Sequence, residues 1–177
     1  MKLLSDENIH LRALEPEDLH FLFTIENDES FWEVSSTQTP FSRFILEQYI
    51  ANSHQDIFEA KQLRLIIEDN NTKKSLGIID LFDYSPQHKR AGIGILIIDS
   101  EQNKGFASQA LKLLIDYSFE QLDLHQLFAN ITSENVKSIN LFKKFQFKKI
   151  GVKKEWIYSK GIFKDEILFQ LINKNEN

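Results

Sequence analysis

The 177-residue chain contains no cysteine, which excludes disulfides, thiol nucleophiles and thiolate metal ligands together. It also lacks any run of about 18 apolar residues, so the sequence predicts no membrane-spanning helix. The first residues become acidic at Asp6 and Glu7 before a signal-peptide core could form. With 42% hydrophobic and 27% charged residues, we expect one cytoplasmic globular domain over residues 1–177.

Glycine is scarce, and the six that occur fit none of the common nucleotide or hydrolase motifs. The chain has no G-x-x-x-x-G-K-[ST] loop and no G-x-S-x-G turn. Gly92-x-Gly94 lacks the third glycine and the helix start of a dinucleotide fingerprint. The five histidines show no ligand spacing, so no metal site is predicted.

Charge is distributed unevenly along the chain. Residues 1–135 hold 22 Asp and Glu against 11 Lys and Arg, whereas residues 136–164 hold nine Lys against one Glu. This pattern is typical of a solvated surface, but it also suits a basic segment that faces a polyanionic cofactor and an acidic part that attracts a cationic substrate. The aromatic residues among the lysines follow strand and helix periodicity, which favours core packing over a nucleic-acid partner.

Apolar periodicity predicts an α/β (α+β) fold in the order βααβββαβαββ. Helical spacing predicts about four helices, near 19–26, 44–54, 107–119 and 135–145, and residues 27–42 are predicted to form a loop. Alternation predicts about seven strands, at 9–14, 63–68, 76–82, 91–98, 127–131, 147–156 and 162–172. Most of them are joined as hairpins, while the strands on either side of the third helix are expected to be parallel.

The segment after the fourth strand has the features of an anion-binding loop. The apolar run Ile93–Ile98 is followed by a polar loop with the spacing Gln102-x-x-Gly105-x-Ala107, and a helix starts at its end. Backbone N–H groups and the positive end of a helix dipole bind phosphate in such places. The alternative is an ordinary strand-to-helix turn. The spacing resembles the pyrophosphate-binding loop of the GNAT superfamily of N-acetyltransferases, and the predicted element order is similar to theirs.

The resemblance implies acetyl-CoA as co-substrate and a mixed sheet whose parallel pair splays apart. In that family the backbone of the strand before the loop pairs with the pantetheine arm and the thioester, which assigns Ile95, Leu96 and Ile97 to the cofactor. The loop residues that the resemblance assigns to the cofactor are Gln102, Asn103, Lys104, Gly105, Phe106 and Ala107, with the main-chain N–H groups holding the pyrophosphate.

A second stretch, Glu134-Asn135-x-x-Ser138 followed by Phe142, resembles the family's other cofactor motif. It assigns Asn135, Ser138 and Phe142 to the cofactor, although Asn135 equally suits a plain helix N-cap. The family usually has Tyr at the position of Phe142, and its hydroxyl is the proposed proton donor to the departing thiolate. Phenylalanine cannot donate that proton, so water, Tyr117 or Tyr158 would have to replace it.

Acidic residues are the candidates for the acceptor side. Asp80 interrupts an apolar strand, and similar spermidine N-acetyltransferases carry Glu there, so we expect Asp80 to act as the catalytic base and to bind substrate. The alternative is a solvent-facing strand residue, and Asp83 is the second choice for the base. Glu26 and Glu33 would meet a cationic amine. His125 also resembles that branch, although a His entering a strand is more often structural.

The resemblance therefore implies an N-acetyltransferase in which a neutral amine attacks acetyl-CoA directly. The acceptor would be a polyamine-like or diamine-like small molecule or a protein N-terminus, without nucleic acid or membrane, and a homo-oligomer is left open. The alternative is a non-catalytic acyl-CoA-binding sensor module that kept the loop and lost its acid at Phe142.

Overall fold

Seven strands joined mainly as hairpins form one mixed sheet in the computed structural model, which describes residues 3–174. Each strand lies where apolar residues alternate or run continuously between turn residues. Their bounds are β1 Ile9–Arg12, β2 Leu63–Asp69, β3 Ser75–Ser85, β4 Arg90–Ile97, β5 Gln126–Thr132, β6 Lys148–Ser159 and β7 Ile162–Ile172.

The sheet has the strand order β1-β2-β3-β4-β5-β7-β6, and β4 with β5 is its parallel pair. That pair is short, because β4 is in register with β5 only from Arg90 to Gly92, opposite 126–128. On its other side β4 stays paired with β3 as far as Ile97. The second half of β4 therefore separates from β5 and leaves a gap, which confirms the predicted mixed sheet with its splayed parallel pair.

Six helices accompany the sheet in the described residues. They are α1 Leu19–Glu26, α2 Trp32–Ser35, α3 Arg43–Ala51, α4 Ile57–Ala60, α5 Phe106–Glu120 and α6 Val136–Lys144. The four longer ones are those that periodicity predicted. The one-turn helices α2 and α4 were not predicted, because four residues are too few to show a helical repeat. α2 lies within the stretch 27–42 that was predicted to be a loop.

Each face of the sheet carries its own apolar core. In β3 the side chains of Ile79 and Leu81 join the core beneath α5, while Ile78 turns to the core with α1 and α3. Asp80 follows Ile78 on that second face, because alternate strand residues point the same way. Within residues 3–174 no helix is long and apolar enough to cross a membrane.

Candidate functional site

Two cavities open where β4 parts from β5. The first, here called the acidic cavity, has a volume of about 400 Å³ and is lined by charged residues including Glu26, Arg64 and Asp80. The second, here called the loop cavity, has a volume of about 580 Å³ and is lined by residues 102, 103 and 105–108 and by α6. Six described residues line both cavities, namely Phe31, Val34, Ile95, Leu96, Asn135 and Ser138. The cavities therefore meet at the gap in the sheet, and these six residues are called the junction.

The loop cavity has the backbone of an anion site. Gly105 caps the 15-residue helix α5 in the left-handed conformation, with a φ of 88°, and Asn103 is also left-handed, with a φ of 61°. The first N–H groups of a helix have no partner within it. Among residues 3–174 no hydrogen bond uses the backbone N–H groups of residues 103–108. These groups are free to bind a phosphate at the positive end of the helix dipole.

Gln102 holds this loop in place through its side chain. Its Nε2 donates to the carbonyl oxygen of Ile97 at 3.0 Å and to Oδ1 of Asp99 at 2.9 Å. Its Oε1 accepts a hydrogen bond from Nζ of Lys137 at 2.6 Å. The amide thus joins the end of β4, the loop and α6, because its side chain both donates and accepts.

Lysines flank the free N–H groups. Lys137 and Lys144 of α6 line the loop cavity, and Nζ of Lys144 lies 3.2 Å from Oγ of Ser108. The side chain of Lys104 turns instead to Glu101 at 2.9 Å, so only its backbone can serve the predicted contact. Hydrogen bonds from Lys74 and Lys104 lower the pKa of Glu101 to about 2.

The residues predicted to contact the pantetheine arm line the gap. Ile95 and Leu96 belong to the junction, and Ile97 lines the loop cavity. Alternate residues of a strand turn their N–H and C=O groups toward opposite neighbours. Beyond Gly92, the N–H and C=O groups of β4 that turn toward β5 are not paired with that strand in the part of the chain that the structure describes. They face the gap, where an extended ligand could pair with them as an added strand does.

The second predicted motif forms the start of α6. Oδ1 of Asn135 accepts the N–H of Ser138 at 3.1 Å, so Asn135 caps the helix as well as lining the junction. Phe142 lines the acidic cavity with a ring that is 3% exposed and packs edge-to-face on Phe147 at 5.0 Å. The two tyrosines considered as substitutes for its missing hydroxyl, Tyr117 and Tyr158, line neither the acidic nor the loop cavity.

An ion-pair network forms one wall of the acidic cavity. Arg64 donates to both oxygens of Asp80, at 2.8 and 2.9 Å, and its Nη1 donates to Glu26 at 2.5 Å. Burial lowers the pKa of the Arg64 guanidinium, but the charge and hydrogen bonds of Asp80 outweigh this and raise it above its ordinary value. Arg64, Asp80 and Gly94 are neighbours across β2, β3 and β4. Because Gly94 has no side chain, space remains beside the carboxylate.

Two further carboxylates line the acidic cavity. Glu33 accepts from Oγ of Ser159 at 2.7 Å and from Nζ of Lys164 at 2.9 Å, and these two hydrogen bonds lower its pKa. Glu166, which was not predicted, lies 2.5 Å from Lys153. In total, four carboxylates and one guanidinium line the described part of this cavity. The four carboxylates outnumber the three cations that pair with them, Arg64, Lys153 and Lys164, and this negative excess suits a cationic ligand.

Two of the weaker sequence candidates lie elsewhere. His125 precedes β5, where its backbone N–H donates to the carbonyl of Lys89 at 2.7 Å, and it lines neither the acidic nor the loop cavity. Asp83 is exposed at an irregular position of β3, with a φ of 47°, and lines neither cavity. The placement of His125 therefore gives its predicted role in substrate binding no support.

Known proteins share both the sequence pattern and the fold. Residues 8–148 match the family described as acetyltransferase (GNAT) domain. The chain is 29% identical over 163 residues to spermidine N(1)-acetyltransferase of Vibrio cholerae, covering 90% of each protein. It is 28% identical over 166 residues to the Escherichia coli K12 enzyme of the same name, covering 92% of this chain and 85% of that protein.

A solved structure of spermidine N-acetyltransferase from Vibrio cholerae, in complex with CoA and spermine, superposes with a TM-score of 0.86. The two chains are 26% identical, and the match covers 94% of this chain and 96% of the other. Since the family match spans well over half of the sequence and the sheet has the same architecture, the chain belongs to the GNAT acetyltransferases and is an acetyl-CoA-dependent acyltransferase.

Proposed function

We propose that this protein transfers the acetyl group of acetyl-CoA to a primary amine of a polyamine or a similar small polycation, by direct attack. The observation that carries the proposal is the junction, where a cavity with free helix N–H groups meets a cavity lined by four carboxylates. One side suits a polyanion and the other a polycation. The two ligands would meet at the gap between β4 and β5.

The residues of the loop cavity fit coenzyme A. The free N–H groups of residues 103–108 would hold the pyrophosphate, and Gly105 leaves open space where a Cβ would otherwise stand. Lys137 and Lys144 add positive charge beside these groups. The unpaired backbone at Ile95 and Leu96 would receive the pantetheine arm, which brings the thioester toward the acidic cavity.

The acceptor amine must lose a proton before it attacks, because an ammonium ion has no lone pair. Each carboxylate oxygen has two lone-pair sites. Asp80 therefore retains acceptor capacity after its two hydrogen bonds from Arg64, and the bare Gly94 leaves an approach to it. We keep Asp80 as the base, with Glu26, Glu33 and Glu166 as the groups that hold the other cationic centres of the acceptor.

Relatives support the choice of acceptor. Two proteins that match most of this chain are spermidine N(1)-acetyltransferases, and the solved Vibrio cholerae structure holds both CoA and spermine. A protein N-terminus offers one cationic centre to these carboxylates, whereas a polyamine offers several. The cytoplasmic location remains a prediction, and the sequence leaves a homo-oligomer open.

Thiol release from acetyl-CoA, measured with a panel of acceptors, tests the proposal. Spermidine, spermine and simple diamines should turn over with higher kcat/KM than peptides with a free N-terminus. Direct attack also predicts that no acetyl-enzyme accumulates before the amine is added. Tight binding of acetyl-CoA without turnover of any amine would refute acetyl transfer to these acceptors and favour the sensor alternative.

A further inference from the structure

An aromatic side chain of β3 lies across β4 at the place where the parallel pair ends. Phe82 of β3 pairs with Gly92 of β4, and Gly92 in turn pairs with Phe128 of β5 in the last position of the parallel register. A Cβ placed on Gly92 would stand 2.3 Å from Cε2 and 2.4 Å from Cζ of Phe82. The ring of Phe82 therefore occupies the space that any side chain at position 92 would need.

This ring closes one end of the acidic cavity and is here called the end wall. It meets Phe128 edge-to-face, with ring centroids 5.6 Å apart and planes at 85°, which is a favoured aromatic geometry. Phe82 lines the acidic cavity, whereas Gly92 and Phe128 line neither the acidic nor the loop cavity. The cavity thus ends at the ring and does not continue over Gly92. Contact with β4 on one side and with Phe128 on another holds the end wall in place.

The end wall borders the position that the proposed function gives to the acceptor nitrogen. Gly94 pairs with Asp80, and Phe82 follows Asp80 by two residues, so both side chains turn to the same face of the sheet. A Cβ placed on Gly94 would lie 3.9 Å from Cε1 of Phe82, an ordinary van der Waals distance. A ligand atom above Gly94 therefore contacts the carboxylate of Asp80 and the end wall together.

The attacking nitrogen has four positions, and each has a different neighbour. Its lone pair forms the bond to the thioester carbon at the junction, while the carbon–sulfur bond breaks with its electron pair left on sulfur. One N–H faces Asp80, and the carbon chain of the acceptor extends toward the other carboxylates. The fourth position, a hydrogen in a primary amine and a carbon in a secondary amine, is directed at the end wall. A ring packed on both sides does not yield to an extra carbon without strain.

From these contacts we infer that Phe82 determines the specificity of acetyl transfer for a terminal, unsubstituted amine, an inference that rests on the proposed function. Its ring fills the space that a second carbon on the attacking nitrogen would occupy. Primary amines fit against the end wall, whereas secondary amines, including the internal nitrogens of a polyamine, collide with it. Selection of this kind comes from excluding the wrong acceptor and not from a new attraction to the right one.

The test compares spermine, spermidine and diaminobutane with the derivatives of each in which both terminal nitrogens carry an ethyl group. Thiol release from acetyl-CoA gives kcat/KM for the parent and for its ethylated derivative, and the ratio of the two measures the discrimination. Comparing this ratio between the wild type and a variant cancels the intrinsic reactivity of the amines. Phe82→Ala should lower the ratio by about 10-fold or more, because even one methylene in an apolar pocket changes discrimination by that amount.

Two further variants separate the end wall from a general loss of packing. Phe82→Leu keeps an apolar side chain of shorter reach, so it should lower the ratio by a smaller factor, and it decides the question if Phe82→Ala does not fold. Phe58→Ala is the matched control, because Phe58 also packs edge-to-face, on Tyr84 at 5.5 Å, but lines neither cavity. Its ratio should equal that of the wild type.

Two results would overturn the role of Phe82. One is a wild type that acetylates the ethylated acceptors as fast as their parents, and the other is an unchanged ratio in the folded Phe82 variants. Failure of the wild type to acetylate any of the three parent amines would instead refute the proposed function.

Discussion

Replacing Asp80 by Asn separates the structural role of this carboxylate from its chemical role. In the wild type, Arg64 donates to both oxygens of Asp80, at 2.8 and 2.9 Å. The substitution keeps the shape of the side chain but leaves a single oxygen to face Arg64. The new amide NH₂ group must face one guanidinium N–H, donor against donor. One hydrogen bond is lost and one donor of a half-buried cation has no acceptor.

The cost follows from the surroundings of Arg64. Removing one partner of a fully buried ion pair costs roughly 3–5 kcal/mol, because the remaining charge is uncompensated. Here the two side chains are 20% and 19% exposed, and Arg64 keeps Glu26 at 2.5 Å. We therefore expect a loss of about 1–3 kcal/mol in the free energy of unfolding, measured by urea denaturation. For a domain of this size the melting temperature falls by about 2–4 °C for each kcal/mol.

The effect on the rate identifies the base. If Asp80 accepts the proton of the bound ammonium, Asp80→Asn lowers kcat/KM by about 10²-fold to 10⁴-fold at neutral pH. The deficit should shrink as pH rises, because an amine with a pKa near 10.4 becomes neutral in solution without help from a base. A deficit that stays constant up to high pH would show that Asp80 does not take the proton.

Asp83→Asn is the matched control on the same strand. Asp83 is exposed, lines neither cavity and has a φ of 47°, a conformation that Asn tolerates well. Its free energy of unfolding should change by less than about 0.5 kcal/mol, and its rate should not change. Equal unfolding free energies for the wild type and Asp80→Asn would refute the assigned contribution of the pair with Arg64.

Three further predictions concern the loop cavity. Gly105→Ala imposes a Cβ on a left-handed residue, with a φ of 88°. It should therefore lower the free energy of unfolding in denaturant by about 1–2 kcal/mol and weaken CoA binding. An unchanged free energy of unfolding would contradict the left-handed conformation. Lys137→Gln and Lys144→Gln should each raise the Kd for CoA in calorimetry and reduce the dependence of that Kd on salt. An unchanged salt dependence would show that the phosphates of CoA bind away from these two lysines. The carboxyl of Glu101 should titrate near pH 2 by NMR, because Lys74 and Lys104 lower its pKa from 4.5, and Lys74→Gln should move that pKa upward. Since the folded pKa is the lower one, the stabilisation by Glu101 is present above pH 4.5 and is lost as pH falls toward 2.

The sequence predicts those parts of the fold that depend on residues close together along the chain. The loop from Gln102 to Ala107 is one uninterrupted spacing, and α5 shows several turns of apolar repeat, so both were predicted from the chain alone. The one-turn helix α2 shows no repeat and was predicted to be a loop, yet it brings Val34 to the junction. Short elements of this kind are positioned by tertiary contacts, which local periodicity does not report.

The partner of Asp80 was missed for a different reason. Arg64 lies 16 residues before Asp80, and the two meet only because β2 and β3 pair in one register. A partial signal was present, since Arg64 and Asp80 each interrupt an apolar strand of the predicted hairpin, on either side of the turn at residues 70–73. Regular pairing about that turn would place Arg64 opposite Ile79, and the irregularity between Ile67 and Glu68 shifts the register by one residue to bring it opposite Asp80. Glu166 had no such signal, because it reaches the site through the pairing of β7 with β5, opposite Thr132.

The division of charge around the gap accounts for the apolar character of the junction. Under the proposed function the charged ends of both ligands point away from it, the phosphates toward the N-terminus of α5 and the remaining ammonium groups toward the carboxylates. The groups that react, a thioester and a deprotonated amine, are both uncharged. Phe31, Val34, Ile95 and Leu96 can surround them without burying an unpaired charge, which would be costly.

Negative charge develops at the junction only as the carbon–sulfur bond breaks. A hydrogen-bond donor at the junction stabilises this transition state more than the ground state, which is the condition for accelerating the reaction. An uncharged donor meets this condition, whereas a lysine at the same place would attract the sulfur and repel the incoming amine.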